Sequence, residues 1–250
     1  MSGDTVDFHK MQALGNDFLV LDHSPSELNA DDIQALACRK TGIGFDQLLS
    51  ITPNHQGKHA SLEIFNADGS IARMCGNGLR CITKFLIDYH QFPSSFQVSI
   101  DDQKYDVKML DQDSYSVNMK APMMCAFHEK HEPSYVLVNI GNLHAVIFDE
   151  VENKEAMFQK LYHKHNCNVH FASIHSLHRV DIKPYERGVG PTLACGSGAC
   201  ATVWAAHQFH QIAPRAHVAM PGGEVMVSIN LSTSEIWLQG SAEYSFYGRI

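Results

Sequence analysis

The chain has 250 residues, 44% of them hydrophobic and 18% charged, the profile of a soluble globular protein with room for one large or two medium domains. A net charge of −8 with no basic stripe argues against nucleic acid as a partner, and no apolar run approaches the roughly 18 residues that cross a bilayer. The polar, acidic start Met1-Ser2-Gly3-Asp4 lacks the basic-then-apolar pattern of a signal peptide, so a cytoplasmic location is expected.

In chain order, residues 8–22 read as a strand, a turn at Gly15-Asn16 and a second strand, and residues 31–39 as a short helix capped by aspartate. Residues 46–51 and 61–65 are strand-like, and Asn66-Ala67-Asp68-Gly69 is a turn signal. A helix over 79–90 is followed by short strands at 96–100, 105–109 and 115–119. The segment 120–134, with two prolines and mixed charge, reads as a crossover between domains. Beyond it come strands at 135–140 and 144–148, a helix at 154–165, strands at 168–178 and 179–185, and a helix at 199–210. Strands at 216–220 and 224–229 flank the turn Gly222-Gly223, and strands at 235–239 and 243–247 end the chain.

Two runs are near copies: Cys75-Gly76-Asn77-Gly78 and Cys195-Gly196-Ser197-Gly198, each preceding a helical stretch. Gly15-Asn16 lies 60 residues before Cys75, and Gly141-Asn142 lies 54 residues before Cys195. Nine positions ahead of each cysteine a polar residue follows an aromatic one: Asn66 after Phe65, Glu186 after Tyr185. A repeat of that length is too long for a solenoid unit and implies a duplicated domain. The expected fold is α+β: two pseudo-symmetric lobes, 1–120 and 121–250, each a curved, mostly antiparallel sheet wrapped around a central apolar helix. The strand at 243–250 can return to the first lobe. A pseudo-two-fold axis would set the two cysteines face to face across a cleft.

Seven cysteines, an odd number without an export signal, read as free thiols. Cys81, Cys200, Cys38, Cys125 and Cys167 are expected as small core residues. Sixteen histidines cluster in part at 163–178, but no helical ligand spacing is present and no metal site is expected. No complete phosphate-binding glycine motif occurs either.

Cys75 and Cys195 carry the chemistry. A helix N-terminus favours a thiolate and can bring a thiol towards neutrality. Two thiols on opposite faces of an α-carbon suit inversion of that centre, one as base and one as acid. The N–H groups of Gly76, Asn77, Gly196 and Ser197 would meet charge developing on a substrate carboxylate.

The motifs Gly15-Asn16-Asp17-Phe18, Phe65-Asn66-Ala67-Asp68-Gly69-Ser70, Cys75-Gly76-Asn77-Gly78, Gly141-Asn142-Leu143-His144, Tyr185-Glu186-Arg187-Gly188 and Leu193-Ala194-Cys195-Gly196-Ser197-Gly198 resemble diaminopimelate epimerase, in order, from about residue 8 to the C-terminus. The resemblance implies cofactor-independent conversion of LL- to meso-diaminopimelate, in lysine and peptidoglycan precursor synthesis, by a homodimer. It implies Cys75 and Cys195 as the acid–base pair and Asn16, Gln47, Asn66, Asn142, Asn168 and Arg187 as substrate contacts. His144 and Glu186 match polar residues beside the reacting centre. The chain departs from the family's usual residues at Gln12, Ala13, Leu143, His170 and Pro191. A racemase of another amino acid on the same machinery, or a non-enzymatic amino-acid-binding protein, are the alternatives.

Overall fold

Alternating apolar and polar residues between frequent turns make strands the main component of this chain. In the computed structural model, which describes residues 5–22, 28–54, 58–128, 133–210 and 212–250, the chain divides into two compact units. The first takes in residues 1–117 and 240–250, the second 118–239. The reading of Met1 to Asp4 lies outside the described residues, as do positions 129–132 of the expected crossover.

The first unit begins with the hairpin β1 (Asp7–Ala13) and β2 (Asn16–Asp22), turned at Leu14-Gly15. Helix α1 (Ala30–Ala37) then leads to β3 (Gln47–Asn54), parallel to β2, and β4 (His59–Asn66) returns antiparallel. Helix α2 (Gly76–His90) leads to β5 (Ser95–Ile100), parallel to β4. The antiparallel β6 (Gln103–Asp111) and β7 (Ser114–Asn118) follow.

The second unit repeats this scheme. β8 (Met123–His128), β9 (Tyr135–Asn139) and β10 (Leu143–Ile147) pair antiparallel in turn. Helix α3 (Lys154–His165) crosses to β11 (Asn168–Ser176), parallel to β10, and β12 (Arg179–Glu186) returns antiparallel. After the two-residue β13 (Gly190–Pro191), helix α4 (Gly196–His210) crosses to β14 (Arg215–Met220), parallel to β12. β15 (Gly223–Ile229) and β16 (Ile236–Gly240) add antiparallel strands, and β17 (Glu243–Arg249) pairs antiparallel with β1 in the first unit. Each parallel pair is bridged by a helix, as the geometry of a parallel connection requires.

The architecture is therefore the expected mostly antiparallel α+β arrangement. Helix α2 buries Leu79, Cys81, Ile82, Phe85 and Leu86 against β1, β2, β3 and β6. Helix α4 buries Ala199, Cys200, Ala201, Val203, Ala205 and Ala206 against the strands of its own unit. Helix α4, buried on nearly all sides, reads as apolar without a clear stripe, whereas α2 keeps a polar edge at Lys84 and Asp88.

Several boundaries differ from expectation. The two cysteine helices start at Gly76 and Gly196, three residues earlier than read, because burial and the thiol at the helix start offset the poor helix propensity of glycine. Helix α1 is capped by Asn29 rather than an aspartate: Asn29 Oδ1 accepts from the backbone N–H of Asp31 and Asp32, and Asp32 bonds back to Asn29 N–H. The segment 120–134 contains β8, a true strand. Cys81, Cys167 and Cys200 are core residues as expected, but Cys38 and Cys125 are exposed. Cys38 caps the C-terminus of α1, and Cys125 sits on β8 beside a register shift. No helix among the described residues is long and apolar enough to cross a membrane.

Candidate active site

The first unit gathers one half of the expected residues. Cys75 is the N-cap of α2, extended in backbone, and its Sγ accepts from Gly78 N–H at 3.3 Å while its carbonyl accepts from Leu79 N–H at 2.9 Å. Asn16, at the start of β2, lies 3.9 Å by its Oδ1 from Cys75 Sγ and accepts from Asn77 Nδ2 at 3.3 Å. Two groups that sequence reading missed set these amides. Arg80, fully buried one turn into α2, donates through Nη2 to Asn77 Oδ1 at 2.7 Å. Asp46 accepts from Asn16 Nδ2 at 2.9 Å. Gln47 and Asn66 stand opposite each other on β3 and β4, with Gln47 Nε2 donating to Asn66 Oδ1 at 3.0 Å. Asn66 in turn donates to Ser70 Oγ at 3.0 Å. A charged residue set between the apolar Leu79 and Cys81 was the visible signal for Arg80.

The second unit gathers the other half. Cys195 precedes α4 and its carbonyl accepts from Ala199 N–H at 2.9 Å, matching Cys75. Its Sγ lies 3.7 Å from Ser197 Oγ, and its own N–H points to the sulfur of Met220 at 3.4 Å. Burial, and then the Glu186 carboxylate, push this thiol well above its ordinary value, outweighing the lowering hydrogen bonds from Gly198 N–H and Ser197. The expected drift towards neutrality at a helix start therefore fails for Cys195, because the thiol is only 4% exposed. Glu186, at the end of β12, accepts from Thr192 Oγ1 at 2.7 Å. Asn168 opens β11 and holds the loop after β12 by accepting from Arg187 N–H at 2.9 Å, while the Arg187 side chain is exposed. Asn142 lies in the β9–β10 turn, where its carbonyl accepts from Ile140 N–H at 3.0 Å.

His144 on β10 is fully buried, and its Nδ1 lies 2.8 Å from Nε2 of His170 on β11, also fully buried. Burial holds both imidazoles well below their ordinary value, His170 at about 3, so both are neutral. His144, His170 and Cys195 offer ligand atoms all within 4.8 Å of one another, a convergence that sequence reading did not anticipate.

Comparison with known proteins places the chain in a family. The family model described as diaminopimelate epimerase matches residues 8–125 and 136–245. The chain belongs to the diaminopimelate epimerase family. Diaminopimelate epimerase of Legionella pneumophila (strain Corby) is 34% identical over 98% of this chain and 99% of its own. That of Coxiella burnetii (strain Dugway 5J108-111) is 35% identical over 97% and 98%. The family is one of isomerases, so the alternative of a non-enzymatic binding protein falls away. Among solved structures, a predicted epimerase from Pseudomonas aeruginosa aligns with a TM-score of 0.78 at 11% identity, covering 98% of this chain and 99% of that one. A probable proline racemase from Agrobacterium radiobacter K84, with bound carbonate, aligns with a TM-score of 0.73 at 10% identity, covering 98% and 92%. At such identities the likeness is one of fold.

Proposed function

We propose that this epimerase-family chain inverts one α-carbon of LL-diaminopimelate to give meso-diaminopimelate, without a cofactor, by a two-thiol mechanism. The observation that carries the reading is the repeated helix start in which Cys75 and Cys195 occupy the same position of the two units. One thiolate removes the α-proton from one face and the other thiol delivers a proton to the opposite face, the roles exchanging with direction. Burial and the adjacent Glu186 carboxylate keep Cys195 a neutral thiol at rest, the form that delivers a proton. Backbone N–H groups of Gly76, Asn77, Gly196 and Ser197 would stabilise charge on the substrate carboxylate, each worth about 3 kcal/mol in the transition state.

Asn16, Gln47, Asn66, Asn142, Asn168 and Arg187 would bind the rest of the substrate, with Arg187, Asn66 and Asn168 at its distal end. A distal ammonium and carboxylate must be paired once desolvated, and the exposed Arg187 guanidinium suits a carboxylate. The family relationship supports a homodimer, in the cytoplasm, serving lysine and peptidoglycan precursor synthesis.

The test is turnover in deuterated water of diaminopimelate, lysine and histidine under one set of conditions. Diaminopimelate should exchange its α-hydrogen and epimerise, with mono-carboxylates slower by on the order of 10⁴. Equal turnover of histidine would favour the racemase alternative. Cys75→Ala and Cys195→Ala should each abolish epimerisation, and full turnover by either ends the two-thiol reading.

A further inference from the structure

The repeat supplies its own control for the second unit. On the parallel pair β2–β3, Phe18 stands opposite Gln47; on the equivalent pair β10–β11, His144 stands opposite Asn168. Two residues further along β3 and β11 come Leu49 and His170, and each packs beneath the third residue after its cysteine. A Cβ built on Gly78 would meet Leu49 Cδ2 at 3.2 Å, and one built on Gly198 would meet the His170 ring at 2.2 Å. All four side chains are fully buried. The fold thus accepts a phenylalanine and a leucine at these two places, and an imidazole pair is not a requirement of packing.

The pair also leaves polar atoms unsatisfied. One nitrogen of each ring serves the 2.8 Å contact, while His144 Nε2 and His170 Nδ1 are buried without a hydrogen-bond partner. Each such atom costs about 1–3 kcal/mol. Two neutral imidazoles and a thiol, with ligand atoms within 4.8 Å, form an N₂S donor set of the kind that soft and borderline divalent cations select.

We propose that His144, His170 and Cys195 form a binding site for a thiophilic divalent cation of the zinc class, which reversibly masks Cys195. Bond lengths of about 2.0–2.1 Å to nitrogen and 2.3 Å to sulfur put tetrahedral ligand atoms roughly 3.3–3.6 Å apart, so the imidazole contact opens and the thiol closes in by small side-chain rotations. On binding, the Cys195 thiol loses its proton to the Glu186 carboxylate and thence to water. Each neutral ring keeps its one N–H on the nitrogen facing away from the cation, the ring that donates in the 2.8 Å contact changing tautomer, and the cation exchanges three waters for two nitrogens and one sulfur, leaving one position open. No oxidation occurs. Binding stands on this geometry alone; its effect on turnover rests on Cys195 being catalytic.

The experiment uses the full chain, reduced, with zinc measured by competition against a chromophoric chelator and cobalt by its thiolate charge-transfer absorbance. Wild type should bind one equivalent and show the absorbance. Cys195→Ser should lose the absorbance. His170→Leu, which copies Leu49, should weaken zinc by at least about 100-fold, since loss of an outer-shell partner alone costs 10- to 100-fold. Cys75→Ala should bind as wild type does, whether or not it epimerises, which separates this site from the functional reading. Zinc should inhibit wild-type turnover reversibly with chelator. If His170→Leu fails to fold by circular dichroism, His170→Gln and zinc protection of Cys195 against alkylation, mapped by mass spectrometry, decide instead. Unchanged binding in a folded His170 variant, loss of the site in Cys75→Ala, or an alkylation pattern in which zinc protects only the exposed Cys38 would overturn the proposal.

Discussion

At the scale of single residues, the two cysteine loops differ most in what lies beneath their glycines. At Gly198 the ideal Cβ position falls 2.2–2.8 Å from three atoms of the His170 ring, a rigid group that is itself buried. Gly198→Ala should therefore cost about 1–3 kcal/mol in urea unfolding, the usual range for an overpacked core. At Gly78 the nearest atom is a leucine methyl at 3.2 Å, which can yield, and the helix propensity gained by alanine is about 1 kcal/mol. Gly78→Ala should be close to neutral in stability. Because Gly198 and His170 touch, their effects should not add: Gly198→Ala combined with His170→Leu should lose less than the sum of the two. Equal losses at Gly78 and Gly198 would show that the His170 contact is not what requires glycine.

At the scale of elements, β1, β2 and the loop before β3 are tied by one ionic knot. Asp17 accepts from Arg39 Nη1 and Nη2 at 2.9 and 2.7 Å and from Lys10 Nζ at 2.6 Å, and Lys10 is 5% exposed. Burial raises the Asp17 carboxyl, but the hydrogen bonds and charges of Arg39 and Lys10 outweigh it and hold it down at about 2. A carboxyl whose folded pKa lies below its unfolded value of about 3.9 stabilises the fold above that value. The contribution, about 2 kcal/mol, is lost as pH falls through about 2. Urea midpoints measured from pH 6 to pH 2 should fall more steeply for wild type than for Asp17→Asn, which starts lower. Parallel pH profiles would remove Asp17 from the acid response. At the far end of the same region, Asn29→Ala should cost about 1 kcal/mol by uncapping α1.

Most of these elements were legible because strands alternate and helices begin at polar caps, so existence and type came through along the chain. Boundaries failed where local preference and burial disagree. Glycines at 76, 78, 196 and 198 are poor helix formers, yet a buried helix start with a thiol accepting Gly78 N–H makes them helical. Strand β8 was hidden because its neighbours, not its own pattern, decide it: Met123 to His128 is largely exposed and pairs with β9. Within the candidate site, Cys75, Asn16, Asn66 and Cys195 were readable from duplication and turn motifs. Asp46 and the His144–His170 pairing were not, since their partners lie on other elements, the two histidines being 26 residues apart, and Arg80 did not stand out because Lys84 and Asp88 also charge α2.

At the scale of the whole molecule, the decisive feature is that the last strand belongs to the first unit. β17 follows β16 in sequence but pairs with β1 from Asp7↔Arg249 to Gln12↔Glu243. Its side chains complete an aromatic group: Phe246 meets Phe8 edge-on at 6.1 Å, and Tyr244 lies 5.8 Å from Tyr89 while its hydroxyl donates to Asp88 at 3.0 Å. Lys84 reaches over the Tyr244 ring at 5.2 Å. Without this strand β1 becomes an open edge with unpaired backbone groups, and the aromatic side chains of β1 and α2 lose their cover. Residues 1–117 expressed alone should therefore fail to unfold cooperatively and should be cut readily by protease. The same residues joined through a flexible Gly/Ser linker to 240–250 should regain a cooperative urea transition and near-ultraviolet dichroism from the ordered aromatics. The decisive comparison is between these two chains at equal concentration. A cooperative transition of equal midpoint in both would mean that the first unit's stability resides in α2 and β1–β7, and that β17 is an accessory rather than a member of its sheet.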